Sequence, residues 1–310
     1  MDPVVEHARA VIEQGSKSFA TAAKLFDRTT RERAFMLYAW CRHCDDRIDG
    51  QELGFGQSSP APEEQLKILE ELTVQTTAAL DGGTVTEPVF QALQRVFDAC
   101  EIERRYPLEL LEGFSMDVQR REYLTLEDTL LYCYHVAGVV GAMMAAVMGV
   151  RDRATLDRAI DLGIAFQLTN ISRDVMEDAA DDRIYLPREW LVEAGAPTAP
   201  GEFPGAEAPV FTVVERLLDE ADRYYASAVH GIRALPFRCA WAIATAARVY
   251  GAIGTEVRRK GPSAWQERVG TSKAQKLGML LTSSATALAA TLSNDPGPER
   301  QGLWTAPRTV

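Results

Sequence analysis

The chain has 310 residues, 46% hydrophobic and 25% charged, which is ample apolar material for a sizeable core. A net charge of −11 excludes nucleic acid as the main partner, because a polyanion would be repelled. Five cysteines (41, 44, 100, 133 and 239) are an odd number and no signal-peptide pattern opens the chain, so a cytoplasmic, reducing compartment is expected rather than a disulfide framework.

Residues 3–25 read as an amphipathic helix interrupted at Gly15-Ser-Lys-Ser-Phe19, a hydroxyl-rich break that can offer N–H and hydroxyl donors to an anion. Thr29 or Thr30 is the expected cap of a second helix reaching Gly50, and a Gly/Ser/Pro loop follows to Pro62. Scaffold helices are expected over 63–81 and 87–103. Pro107 opens a helix through Gly113, Phe114 and Asp117, and Thr125 starts the next, with Glu127 and Asp128 in its first turn. From Tyr132 to Gly149 that helix is nearly uncharged, so it must be buried or line an apolar cavity. Gly138, Gly141, Ala145 and Gly149 share one narrow side, where a neighbouring helix can approach closely.

The following helix starts near Asp152 or Thr155, runs through Asp178 and gives way to a loop ending at Pro187. Gly195–Pro209 is rich in Pro, Gly and Ala and is expected to be mobile. Helices resume over 210–232, 236–259 and 271–292, and residues 294–310 are expected to be a disordered tail. No segment alternates like a strand, so the fold class is all-α, one domain over residues 1–293. No window holds about 18 uninterrupted apolar residues, so no bilayer span is expected.

Two stretches carry the chemistry. With Gln167 at zero on a helical wheel, Asn170, Asp174 and Asp178 fall at about 300°, 340° and 20°. Arg173 and Glu177 flank this stripe, while Leu168, Ile171 and Val175 point elsewhere and can anchor the helix. Far upstream, with Tyr38 at zero, Arg42, Asp45 and Asp49 fall at about 40°, 340° and 20°. Acids stacked without lysine partners repel one another unless a cation joins them. Oxygen-only ligands in pairs suit a hard cation such as Mg²⁺, which binds through a few carboxylates plus substrate phosphates. An acidic protein that holds diphosphates needs such ions to reconcile the charges. Cys41-x-x-Cys44 has no second pair or His cluster and falls away from the acidic stripe, so both thiols read as packing residues.

These motifs resemble the squalene/phytoene synthases, most closely the bacterial phytoene synthases. The resemblance runs from Ser16-Lys-Ser-Phe19 through Tyr38-x-x-x-Arg42-x-x-Asp45-Asp-x-x-Asp49 to Tyr132-x-x-x-Val-Ala-Gly138-x-x-Gly141. It continues through Gln167-Leu-Thr-Asn-Ile-x-Arg-Asp-Val-x-Glu-Asp178, Arg183-Ile-Tyr-Leu-Pro187, Tyr250 and Glu267-Arg-Val269. His135, Gly15 and Asp182 depart from the pattern, standing where Tyr or Gly, His in some relatives, and Gly are common.

The resemblance implies an isoprenoid-synthase helical fold around a central apolar cavity. It also implies head-to-head condensation of two geranylgeranyl diphosphates to phytoene. By match, Asp45, Asp49, Asn170, Asp174 and Asp178 would hold Mg²⁺, with Mn²⁺ as an alternative. Arg42, Arg173, Tyr250 and Arg268 would bind diphosphate, with Ser16, Ser18 and Phe19 beside it. Tyr38, Tyr132 and Gln167 would line the reacting end, and Val136 and Val140 the apolar wall. No NADPH is expected for phytoene formation. A C30 squalene or dehydrosqualene synthase and a non-catalytic assembly factor are the alternative readings. An apolar product also leads to the expectation of peripheral contact with the inner face of a membrane, and no oligomeric state is predicted.

Overall fold

Capping side chains start the helices that carry the site. Asp27, rather than Thr29 or Thr30, caps the second helix, its carboxylate accepting from the Thr30 N–H at 3.1 Å and the Thr30 hydroxyl at 2.6 Å. Thr125 and Asp128 form a reciprocal capping box, and Asp152 accepts from the Thr155 N–H at 2.9 Å. The computed structural model describes residues 2–15, 22–51, 60–293 and 297–306, and every regular element among them is a helix.

In chain order these are α1 (Pro3–Gly15), α2 (Arg28–Asp49), α3 (Pro62–Leu80), α4 (Pro88–Ala99), α5 (Arg105–Val118) and α6 (Leu126–Val147). They are followed by α7 (Arg153–Ala180), α8 (Arg188–Glu193), α9 (Glu207–Ala228), α10 (Phe237–Lys260) and α11 (Lys273–Leu292). By length and composition α6 could cross a membrane, but 67% of its apolar window is buried, and it serves as the core helix.

α7 is central: it packs against α6, α9 and α10. Backbone contact makes the α6–α7 crossing unusually close. A Cβ on Gly163 would lie 2.6 Å from the Ala137 carbonyl carbon and closer still to its oxygen. A Cβ on Gly141 would likewise run into the Ala159 carbonyl. Only glycine fits at both places. At this crossing α6 widens into a π-helical turn, Tyr134–Gly138. Such turns interrupt the regular hydrogen-bond ladder and often mark functional sites. Gly149 belongs to no packing stripe: its φ of 97° and open surroundings make it the turn that ends α6.

Two segments expected to be loose are docked. In Gly195–Pro209 the Phe203 side chain is buried, anchoring a short 3-10 turn at Pro200–Glu202. Residues 297–306 are likewise held down. Arg300 makes a two-pronged contact with the fully buried Asp161, Trp304 packs on Tyr134 at 5.2 Å, and the Trp304 N–H donates to the Tyr224 hydroxyl at 3.0 Å. A buried carboxylate needs a paired cation, so the end of the chain completes the core. Composition could not reveal this, because the partner of Arg300 lies 139 residues away.

Candidate active site

The α2 stripe is built as its spacing demands. Arg42 donates to Asp45, and its Nε lies 3.6 Å from Asp46. Tyr38 stands one turn above, close to the end of α1, since a Cβ on Gly15 would lie 3.1 Å from its hydroxyl. Ser16, Ser18 and Phe19 lie outside the described residues. Burial, compounded by repulsion from Asp49, pushes the Asp45 carboxyl up to about 6.

On α7, Gln167 accepts from the Asn170 amide at 3.3 Å and Arg173 grips Asp174, its Nε donating at 2.7 Å. Arg268 reaches in from beyond α10 to lie 3.4 Å from Asp174 and 3.8 Å from Glu177. Tyr250 stacks on Phe166 with ring centroids 4.3 Å apart, and the Arg173 guanidinium acts on its hydroxyl electrostatically. Asp178 is the most strained of the acids. Burial first, then repulsion from Asp174, pushes its carboxyl up to about 8.

Asp117, Tyr185 and Arg183 join the two stripes, and none of them belongs to a helical repeat that would mark it in the sequence. Arg183 donates to Asp49 at 2.9 Å across 134 residues of chain. Asp117, on α5, accepts from the Tyr132 hydroxyl at 3.0 Å and from the Tyr185 hydroxyl at 2.8 Å. The Tyr132 and Tyr185 rings stack at 4.6 Å, and Tyr123 packs edge-on against Tyr132 at 5.4 Å. Burial holds the Asp117 carboxyl up at about 6 although Arg183 and both hydroxyls pull it down. A cleft of about 280 Å³ opens here, lined among others by Asp49, Asp117, Arg120, Asp182 and Arg183. A second hollow of about 460 Å³, against Leu80, Phe97 and Arg151, lies away from all of these groups.

Two of the departures from the expected pattern, His135 and Asp182, have physical explanations. His135 is a packed helix residue whose Nδ1 lies 2.8 Å from the Glu109 carbonyl oxygen, and burial lowers its pKa. Asp182 adopts a left-handed φ of 59°, which explains why glycine suits this position and why a short polar side chain can replace it.

Val136 and Val140 are only partly buried, although they sit on the core helix, beside fully buried Val139 and Met143. Both pack against the core, and Val136 meets α5, where a Cβ on Gly113 would lie 2.8 Å from Val136 Cγ1. Among the described residues no group of three or more His, Cys, Asp or Glu side chains is close enough to hold one metal ion alone. The acids stand instead as separated pairs, each neutralised in part by an arginine. The donor set is nevertheless hard oxygen throughout. Burial raises the Asp45, Asp117 and Asp178 carboxyls despite the arginines beside them, and repulsion from Asp49 and Asp174 adds to it, so further positive charge would favour their ionised forms. Cations arriving with a polyanionic substrate fit this arrangement, the substrate oxygens completing their coordination shells.

The squalene/phytoene synthase family model matches residues 12–275. A phytoene synthase of Pseudescherichia vulneris is 51% identical over 307 residues, covering 98% of each chain. A 15-cis-phytoene synthase of a Paracoccus species is 51% identical over 308 residues, covering 99% of each. Among solved structures, a dehydrosqualene synthase in complex with ligand aligns with a TM-score of 0.80 at 26% identity, over 92% of this chain and 97% of its own.

Proposed function

Because this chain belongs to the squalene/phytoene synthase family, we propose that it condenses two geranylgeranyl diphosphates head to head to phytoene, by way of a cyclopropylcarbinyl diphosphate, in carotenoid biosynthesis. The observation that supports this reading is two arginine-clamped aspartate stripes, with Arg183 reaching Asp49 and Asp117 gathering Tyr132 and Tyr185 beside them. Arg42, Arg173, Arg268 and the Tyr250 hydroxyl orient diphosphate oxygens, the arginines by charge and forked N–H donors. Asp45, Asp49, Asn170, Asp174 and Asp178 would hold Mg²⁺, which supplies positive charge to the departing diphosphate. Val136, Val140 and the rest of the α6 wall exclude water and offer no nucleophile to an allylic cation. Tyr132, fixed by Asp117 and stacked on Tyr185, borders the reacting end with an aromatic face turned to positive charge.

Two diphosphates leave and two protons are lost for each hydrocarbon formed, one as the cyclopropane closes and one as the central double bond forms, so the reaction balances without a reductant. The test is incubation of the protein with the C20 or the C15 diphosphate and Mg²⁺, with and without NADPH, followed by product mass analysis. A C40 hydrocarbon whose yield ignores NADPH is expected. A C30 product favoured from mixed substrates, or a product that requires NADPH, overturns the assignment.

A further inference from the structure

Residues 297–306 form no helix, yet they cross the molecule as a strap held at both ends. At one end Arg300 meets Asp161, a carboxylate fully buried on α7, through a two-pronged contact of 2.8 and 2.6 Å. A fork of this kind fixes direction as well as distance. At the other end the Trp304 N–H donates to the buried Tyr224 hydroxyl on α9 at 3.0 Å, and the Trp304 carbonyl accepts from the same Arg300 guanidinium at 3.2 Å. Gly302, at a φ of 68°, makes the turn between the two grips, and Arg223 on α9 donates to its carbonyl at 2.7 Å. The backbone of Trp304 is therefore held on both sides. Its half-buried indole is set on the Tyr134 ring at 5.2 Å, within the range of an attractive aromatic pair.

The two grips fall on the two helices of the close crossing. Tyr134, fully buried, opens the π-helical turn of α6, and the Val139 N–H reaches back to the Tyr134 carbonyl. The Tyr134 hydroxyl donates to Glu109 on α5 at 2.5 Å. Ala137 and Gly138, in the same turn, are the backbone that meets Gly163 of α7, and Asp161 precedes Gly163 by two residues. The strap thus takes hold of both helices within one turn of their contact. The chain from Arg300 to Trp304 spans at most about 14 Å even when extended, so it limits how far the two helices can part. A turn that gives up the regular hydrogen-bond ladder needs such outside support to persist. Tyr132 lies at about 200° from Tyr134 around α6, on the opposite side, where Asp117 holds it. Gln167 and Asn170 follow Gly163 by one and two turns.

We propose that Trp304, acting through Tyr134, is a positioning residue for turnover: the strap holds α6 and α7 at the spacing that sets Tyr132 against the Gln167–Asn170 stripe. Its rate measurement rests on the condensation reading above, and its exchange measurement does not. A contact that only stabilises would lower the melting temperature and leave the kcat of the folded protein as it was. A positioning contact lowers kcat and leaves KM alone, because Arg42, Arg173 and Arg268 take their places from Asp45 and Asp174 rather than from the strap.

The experiment compares wild type, Trp304→Ala and Trp304→Phe as full chains. Each is assayed with the C20 diphosphate and Mg²⁺ well below its melting range, and its hydrogen exchange is followed by mass spectrometry. Trp304→Ala is expected to lose at least tenfold in kcat with KM within twofold of wild type, the scale of a small misplacement of reacting groups. Its amides over Tyr134–Val139 are expected to exchange at least tenfold faster, with those of α2 unchanged. Trp304→Phe keeps a ring on Tyr134 and is expected to retain at least half of the wild-type kcat. Should the alanine variant fail to fold, Trp304→Leu, which keeps apolar bulk without a ring face, carries the same expectations. A Trp304→Ala protein that melts lower but keeps wild-type kcat overturns the proposal and leaves the strap a stabilising contact. So does a change confined to KM, a phenylalanine variant as slow as the alanine one, or unchanged exchange over Tyr134–Val139. Wild type that forms no C40 hydrocarbon refutes the condensation reading instead, and the exchange comparison then decides the strap by itself.

Discussion

Gly163→Ala tests the helix crossing on which the site depends. The new methyl would lie 2.6 Å from the Ala137 carbonyl carbon and 2.8 Å from Gly138 Cα, where ordinary contacts begin at 3.4 Å. These obstructing atoms are backbone, so no rotamer change relieves them, and α6 and α7 must part by roughly 1 Å. Overpacking of this kind costs about 3 kcal/mol, offset by about 1 kcal/mol from alanine's better helix propensity. A net loss of about 2 kcal/mol corresponds to a melting temperature about 3 °C lower in a chain of this length. Gly251→Ala is the matched control. It makes the same chemical change in α10, where nothing lies within 4 Å, and should raise the melting temperature by about 1–2 °C. Scanning calorimetry on the three proteins gives both signs. Gln167 and Asn170 lie one and two turns beyond the crossing, so parting the helices also moves the polar stripe away from Val136 and Val140. A displacement near 1 Å can cost about 100-fold in rate, and kcat below the melting range should fall at least tenfold. A Gly163→Ala protein that melts at or above wild type refutes the crossing. One that is destabilised yet fully active shows that the spacing between wall and stripe does not govern turnover.

Asp117→Asn removes the charge that anchors Tyr132 and Tyr185 and should lower turnover with little change in KM. The Asp117 carboxyl is held up at about 6 against 3.8 for an ordinary aspartate, so wild type has a stability contribution that is full below pH 3.8 and lost as pH rises through 6. The asparagine variant should therefore gain roughly 3 kcal/mol on wild type between pH 4 and 7.5, and urea titrations showing a pH-independent difference would contradict this. Val140→Phe should reduce use of the C20 diphosphate more than that of the C15 diphosphate, because it fills the wall at a depth of about 12 Å from Tyr132. A competition assay with an unchanged C40-to-C30 product ratio would place the length-setting wall elsewhere. Arg300→Met leaves Asp161 buried without its cation and should cost about 3–5 kcal/mol, much of it recovered by adding Asp161→Asn; equal stability of single and double variants would dismiss the pair.

Features repeated every three or four residues were legible in the sequence. The Asp45/Asp49 and Asn170/Asp174/Asp178 stripes, the Thr125 and Asp152 helix starts and the buried α6 are each specified within a few turns, where helical geometry alone dictates which side chains share a face. Tertiary structure decided the long-range partners. Arg183 meets Asp49, Asp117 gathers Tyr132 and Tyr185 from two other segments, and Arg300 enters the core at Asp161. A lone aspartate on α5 and a lone arginine near the end of the chain carry no periodic signal, because their meaning lies in partners brought close only by folding. The same limit applied to α11, whose leucines are as apolar in the sequence as those of any core helix. Which side faces inward was settled by close packing against α10 and the turn at Val229–Ala234, which admits serine and alanine and leaves the leucines outside.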